Sequence, residues 1–154
     1  MINHKNGDLL NSDADIICQQ VNCCGVMGSG LAKHIKDSYP DVYTSYKIFC
    51  QDKDPLELLG QVNWSAVPRD GDMVSFANIF GQLDYGNGGT QYTDYTALEK
   101  GLLTVYEVAK KHNLKVALPH AIGCGLGGGD WEVVLGIISR IFQDEIECEI
   151  WKLE

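Results

Sequence analysis

A chain of 154 residues, 45% hydrophobic and 21% charged, is long enough to bury a sizeable core and has the balance of a soluble globular domain. Its formal net charge of −9 argues against non-specific nucleic-acid binding, which needs many lysines and arginines facing phosphates. No apolar run approaches a membrane span and Met1-Ile2-Asn3-His4-Lys5 lacks a signal peptide's apolar region, so no membrane partner and a cytoplasmic location are expected.

Ile2 to His4 is predicted as a short first strand, followed by a turn at Gly7-Asp8-Leu9-Leu10. Asp13 to Val21 has a continuous apolar centre, the pattern of a buried parallel strand. It breaks into glycines at Gly25, Gly28 and Gly30, and a helical pattern begins at Leu31, Ala32, Ile35 and Tyr39. Tyr39-Pro40 ends that helix, because the residue before proline disfavours helical angles. A second helix runs from Asp41 with Val42, Tyr43, Tyr46, Phe49 and Cys50 on one face, and Asp52 to Pro55 is read as a loop. Gly60 to Val67 and Met73 to Phe80 are predicted strands, and Pro68-Arg69-Asp70-Gly71 between them suggests a hairpin.

Gly81 to Gln91 is a long glycine-rich connection. Thr93 is predicted to cap a helix whose buried stripe is Tyr95, Leu98, Leu102, Val105, Tyr106 and Ala109. Leu114 to Pro119 forms a short buried strand, and a second glycine loop, Ile122 to Gly129, follows it. Asp130 caps a last helix with Trp131, Val134, Leu135, Ile138, Ile141 and Phe142 inward, and Ile146 to Leu153 closes the chain as a strand. Strands alternating with helices predict an α/β three-layer sandwich with a mixed, largely parallel central sheet.

Two strands break into glycine loops before helices. Unpaired amides at a helix start, with the positive end of the dipole, suit an anion, and glycine lets the backbone approach it. The plainer reading is two tight turns with no ligand. In such sheets ligands sit at the carboxyl ends of strands, so both loops should face one crevice. The cysteines at 18, 23, 24, 50, 124 and 148 lack paired ligand spacing and read as reduced, mostly buried thiols. A zinc site from Cys23, Cys24, Cys124, His34 and His120 has no recognised spacing, and neither metal nor cofactor is expected.

The motifs G-D-L at Gly7–Leu9, V-N at Val21-Asn22, G-x-x-G-x-G-L-A at Gly25–Ala32 and I-G-C-G-L-G-G-G-D-W at Ile122–Trp131 together resemble the macrodomain family, in order and over nearly the whole chain. The last motif looks closest to the branch of terminal ADP-ribose protein glycohydrolases, DNA–ADP-ribose glycohydrolase antitoxins and ADP-ribose-1''-phosphate phosphatases. The resemblance implies a single macrodomain over residues 1–154 that binds ADP-ribose, or an ADP-ribosylated macromolecule, in a cleft. It also implies roles by motif position. Asp8 accepts from the adenine amine and Leu9 lines the adenine pocket. Asn22 contacts the distal ribose, and Gly25, Met27, Gly28, Ser29 and Gly30 lie along the distal ribose and diphosphate. Ile122, Gly123, Cys124, Gly125, Leu126 and Gly127 wrap the diphosphate, and Phe80 packs near adenine or ribose.

The related glycohydrolases use a lysine after a central strand and an aspartate in the G-C-G-L-x motif. Those places hold Gln82 and Gly127 here, so a lysine–aspartate mechanism is not expected. Hydrolysis of ADP-ribose-1''-phosphate or of an ADP-ribosyl linkage would need another base, and Asp130, His120 and His34 are the candidates. The alternatives are a non-catalytic reader of ADP-ribosyl groups and an unrelated nucleotide- or phosphate-binding enzyme.

Overall fold

The computed structural model describes residues 1–86, 88–143 and 145–153. One six-stranded sheet carries β1 (Ile2–Asn6), β2 (Ile16–Asn22), β3 (Val62–Arg69), β4 (Asp72–Gln82), β5 (Val116–Pro119) and β6 (Cys148–Lys152). Their order across the sheet is β1-β6-β5-β2-β4-β3, and every neighbouring pair is parallel except β3–β4. β3 and β4 form the predicted hairpin. It closes on Asp70 and Gly71, both at positive φ (49° and 82°), as a two-residue turn matched to strand twist requires.

The helices are α1 (Gly30–Ser38), α2 (Pro40–Cys50), α3 (Pro55–Leu58), α4 (Tyr95–His112) and α5 (Trp131–Ile141). α4 and α5 cover one face, packing Leu98, Leu102, Val134 and Ile138 on Ile16, Cys18 and Ile79. α1, α2 and α3 cover the other with Ile35, Val42, Tyr46 and Leu58 against Ile17, Phe76, Val21 and Phe80. Adjacent residues of β2 and β4 feed opposite cores, as the two-residue period of a strand dictates. The layering is therefore α/β/α, and no helix among the described residues is long and apolar enough to cross a membrane.

The structure departs from the sequence expectations at several places. Residues 55–58, with Asp54 accepting from the Leu56 amide, form a helix of one turn too short to show a period. Leu9–Asn11 is a 3₁₀ turn capped by Asp8. Asp94, not Thr93, caps α4 by accepting from the Ala97 amide. Three of the six cysteines are buried, Cys24 is exposed, and all are free thiols.

Glu149 is 4% exposed in β6 and ties the sheet to the segment before β2. It accepts from Ser12 Oγ (2.7 Å) and Trp151 Nε1 (2.9 Å), with Lys115 Nζ 3.2 Å away. Burial acts to raise its pKa; the hydrogen bonds from Ser12, Trp151 and Lys115, and then the charge of Lys115, outweigh that and hold the carboxyl below its ordinary value of 4.5. A depressed carboxylate stabilises the fold above its unfolded pKa and ceases to as pH falls through the folded one. Urea midpoints followed from about pH 7 to about pH 3 should therefore fall more steeply for the wild type than for Glu149→Gln. Parallel curves would contradict this role.

Candidate functional site

Parallel strands bring the loops after β1, β2, β4 and β5 to one edge of the sheet, beside the end of β6. β2 and β5 are neighbours, so the glycine loops that follow them converge. Three cavities, of about 570, 250 and 440 Å³, share walls there and form one groove. The first holds Asp8, Leu9, His34 and Trp151. The middle one lies between Ser29-Gly30 and Ile122, Gly123, Gly125 and Leu126. The far one is walled by Asn22, Gly28, Gln82, Tyr85 and Gly86.

Backbone donors dominate the middle. Among the described residues the amides of Gly28, Ser29 and Gly30 on the first loop, and of Gly123, Gly125 and Leu126 on the second, donate to nothing in the chain. Ser29 is the N-cap of α1, yet its side chain makes no capping bond, so the start of that helix is left open to the groove.

The first loop is shaped by Asn22. Its Oδ1 accepts from the amides of Cys24 (3.0 Å) and Val26 (3.4 Å), and its Nδ2 donates to Val26 O (2.9 Å). The Tyr46 hydroxyl reaches up from α2, donating to Asn22 O (2.6 Å) and accepting from the Gly25 amide (3.1 Å). The second loop hangs on Thr93: its Oγ1 donates to Gly123 O (2.6 Å), and the amides of Tyr92 and Thr93 donate to Gly127 O (2.7 and 3.0 Å).

Asp8 Oδ1 accepts from the Leu10 amide (2.9 Å), while Oδ2 lies 2.9 Å from His34 Nε2. Partial burial pushes its pKa up, but the Leu10 amide and the hydrogen bond and charge of His34 prevail and leave it below the ordinary carboxylate value. His120 rests against Trp131, ring centroids 4.7 Å apart. Burial, then the charges of Lys152 and His4, lowers its pKa.

Of the residues the motifs single out, Asp8, Leu9, Asn22, Gly28, Ser29, Gly30, Ile122, Gly123, Gly125 and Leu126 line the groove. Met27 and Phe80 do not: they are 1% and 0% exposed, packed in one core cluster with Val21, Tyr46 and Leu58 beneath α2. Gly25 is held by Tyr46 and serves the loop's shape. Gly127 is buried, its carbonyl spent on Tyr92 and Thr93. Cys124 donates its thiol to Ile122 O, and burial, with Asp130 nearby, pushes its pKa up to about 11, so it is no thiolate nucleophile.

The three candidate bases are not at the Gln82 end. His34 and His120 stand at the Asp8 end, and Asp130 is exposed, accepting from the Glu132 amide as the cap of α5. Sequence reasoning missed Gln20, Tyr46, Tyr85 and the part played by Thr93. Gln19-Gln20, two amides inside a buried apolar strand, was the available signal, because buried amides need partners.

The groove and the sheet order define a class. A solved neighbour, the macrodomain of Mycobacterium tuberculosis DarG, superposes with a TM-score of 0.82 at 27% identity, covering 98% of this chain and 97% of that one. The chain is thus a macrodomain in fold. Another neighbour, Thermosipho africanus DarTG in complex with ADP-ribose, gives 0.79 at 28% identity over 97% of this chain and 41% of that one. Among curated sequences, the DNA ADP-ribosyl transferase–DNA ADP-ribosyl glycohydrolase fusion protein of Thermosipho africanus is 30% identical over 94% of this chain and 40% of its own length. The chain spans about two-fifths of the length of the first curated relatives it matches. No family model matches it.

Proposed function

We propose that residues 1–154 act as one macrodomain whose groove binds the ADP-ribosyl group, with adenine at Asp8, the diphosphate between the glycine loops and the distal ribose beside Asn22 and Gln82. The observation that carries this is the set of amides, on two loops that line one groove, that have no partner among the described residues. Six N–H dipoles and an uncapped helix start neutralise a diphosphate without lysine or arginine, which suits a chain of net charge −9. At the Asp8 end, each carboxylate oxygen keeps a lone pair after Leu10 and His34 are served, and adenine's exocyclic amine only donates.

Titration calorimetry with ADP-ribose tests the reading; no heat at millimolar ligand overturns it. Asp8→Ala should weaken ADP-ribose by about tenfold, the value of one charge-assisted hydrogen bond. The hypoxanthine analogue, which lacks the amine, should lose less. Equal losses would remove Asp8 from adenine recognition.

Recognition alone is the reading the distal cavity favours. Among the described residues lining it, Tyr85 is the sole side chain that ionises, and the family resemblance puts Gln82 there where the glycohydrolases carry a lysine. A second reading, removal of the ADP-ribosyl group, is favoured by the name of the Thermosipho relative. In it, orientation of the distal ribose supplies the rate. Incubation with ADP-ribosylated DNA, ADP-ribosylated protein and ADP-ribose-1''-phosphate separates the two: turnover of any of them replaces the reader by a hydrolase.

A further inference from the structure

We infer that Gln20 is a positioning residue of this groove, fixing Gln82 at the distal end and the second glycine loop at the middle with a single side-chain amide. Gln20 Nε2 donates to Gln82 Oε1 (2.8 Å) and to Thr93 Oγ1 (2.8 Å). The Thr93 hydroxyl has one proton and spends it on Gly123 O (2.6 Å), so Oγ1 must accept from Gln20. That settles which way round the Gln20 amide lies. Its nitrogen faces Gln82 and Thr93; its oxygen, buried and without a hydrogen-bond partner among the described residues, is pressed towards Gly81 and Gly123. A Cβ at Gly81 would overlap that oxygen, and one at Gly123 would lie 3.0 Å from it, so the two glycines make the slot in which Gln20 fits.

The polarity then passes on. With Oε1 engaged by Gln20, the Gln82 amide must direct Nε2 at Asp84 O, which it meets at 2.8 Å. Gln82 therefore presents an amide of one fixed orientation to the distal cavity, and Gln20 decides that orientation from behind. The same donor steadies Thr93, from which the second loop hangs. Neither Glu nor Met at position 20 could do this, since neither offers an N–H.

The inference rests on the proposed function, and one set of measurements tells them apart. Wild type, Gln20→Met, Gln82→Ala and the double variant would be titrated calorimetrically with ADP-ribose and by NMR shifts with adenosine, which occupies the Asp8 end alone. Gln20→Met should weaken ADP-ribose by about tenfold and adenosine by less than about twofold; adding Gln82→Ala should cost little more, because the two act as a unit. A purely structural role would weaken both ligands together. Should Gln20→Met fail to fold, Gln20→Glu keeps the side chain's length without an N–H and carries the same expectation. Wild type that ignores ADP-ribose overturns the function and this inference together. Wild type that binds, with variants that bind equally well, or that lose both ligands alike or additively, overturns the inference alone.

Discussion

Gly127→Asp is expected to abolish ADP-ribose binding rather than to install glycohydrolase chemistry. Resemblance to the glycohydrolase branch assigns an aspartate to this position, so restoring it looks like a repair. The local packing forbids it. A Cβ on Gly127 would sit 2.7 Å from Thr93 Oγ1 and 2.8 Å from Gly123 O, closer than side chains tolerate. The loop would have to leave Thr93, and with it the amides of Gly123, Gly125 and Leu126 would leave the groove. Losing two or three charge-assisted hydrogen bonds at about 1.5 kcal/mol each costs at least about a hundredfold in affinity. Calorimetry with ADP-ribose and an assay on ADP-ribosylated DNA check both halves. A variant that binds as tightly as wild type, or that turns over where wild type does not, would contradict the packing argument.

Phe80→Ala should destabilise the fold by about 3–5 kcal/mol, the range for removing a fully buried phenylalanine. Phe80 is 0% exposed, and its ring centroid lies 5.7 Å from those of both Tyr46 and Phe49. Few neighbours can collapse into the space, because α2 is also anchored through the Tyr46 hydroxyl at the first loop. Urea unfolding followed by fluorescence measures the loss. A change below about 1 kcal/mol would mean that the ring is not part of a close-packed core.

The same residue shows where reading the chain in one dimension fails. Phe80 ends an apolar strand just before a glycine-rich connection, a place where an aromatic residue can serve either a ligand or the core. The decision comes from the pleat. Odd and even residues of β4 face opposite layers, and Phe80 shares its face with Val21, Tyr46 and Leu58. Met27 is decided likewise, by a loop that Asn22 and Tyr46 curl inward. Asp130 could be a base or a helix cap, and the Glu132 amide settles on the cap.

What the amino-acid order determined by itself is local. The two-residue and helical periods placed most strands and helices, Asp70-Gly71 closed the hairpin, and the glycine runs marked where backbone could meet an anion. Asp8 and Asn22 were singled out only by resemblance to the family motifs G-D-L and V-N, and both stand on the groove wall. What the tertiary structure alone decided is who meets whom. Gln20, Gln82, Thr93 and Gly123 lie on four separate stretches, and nothing in their spacing announces that one amide joins them. Hydrogen-bond partners across a parallel sheet are set by strand order, β5-β2-β4 here, and strand order is a property of the folded sheet rather than of any segment within it.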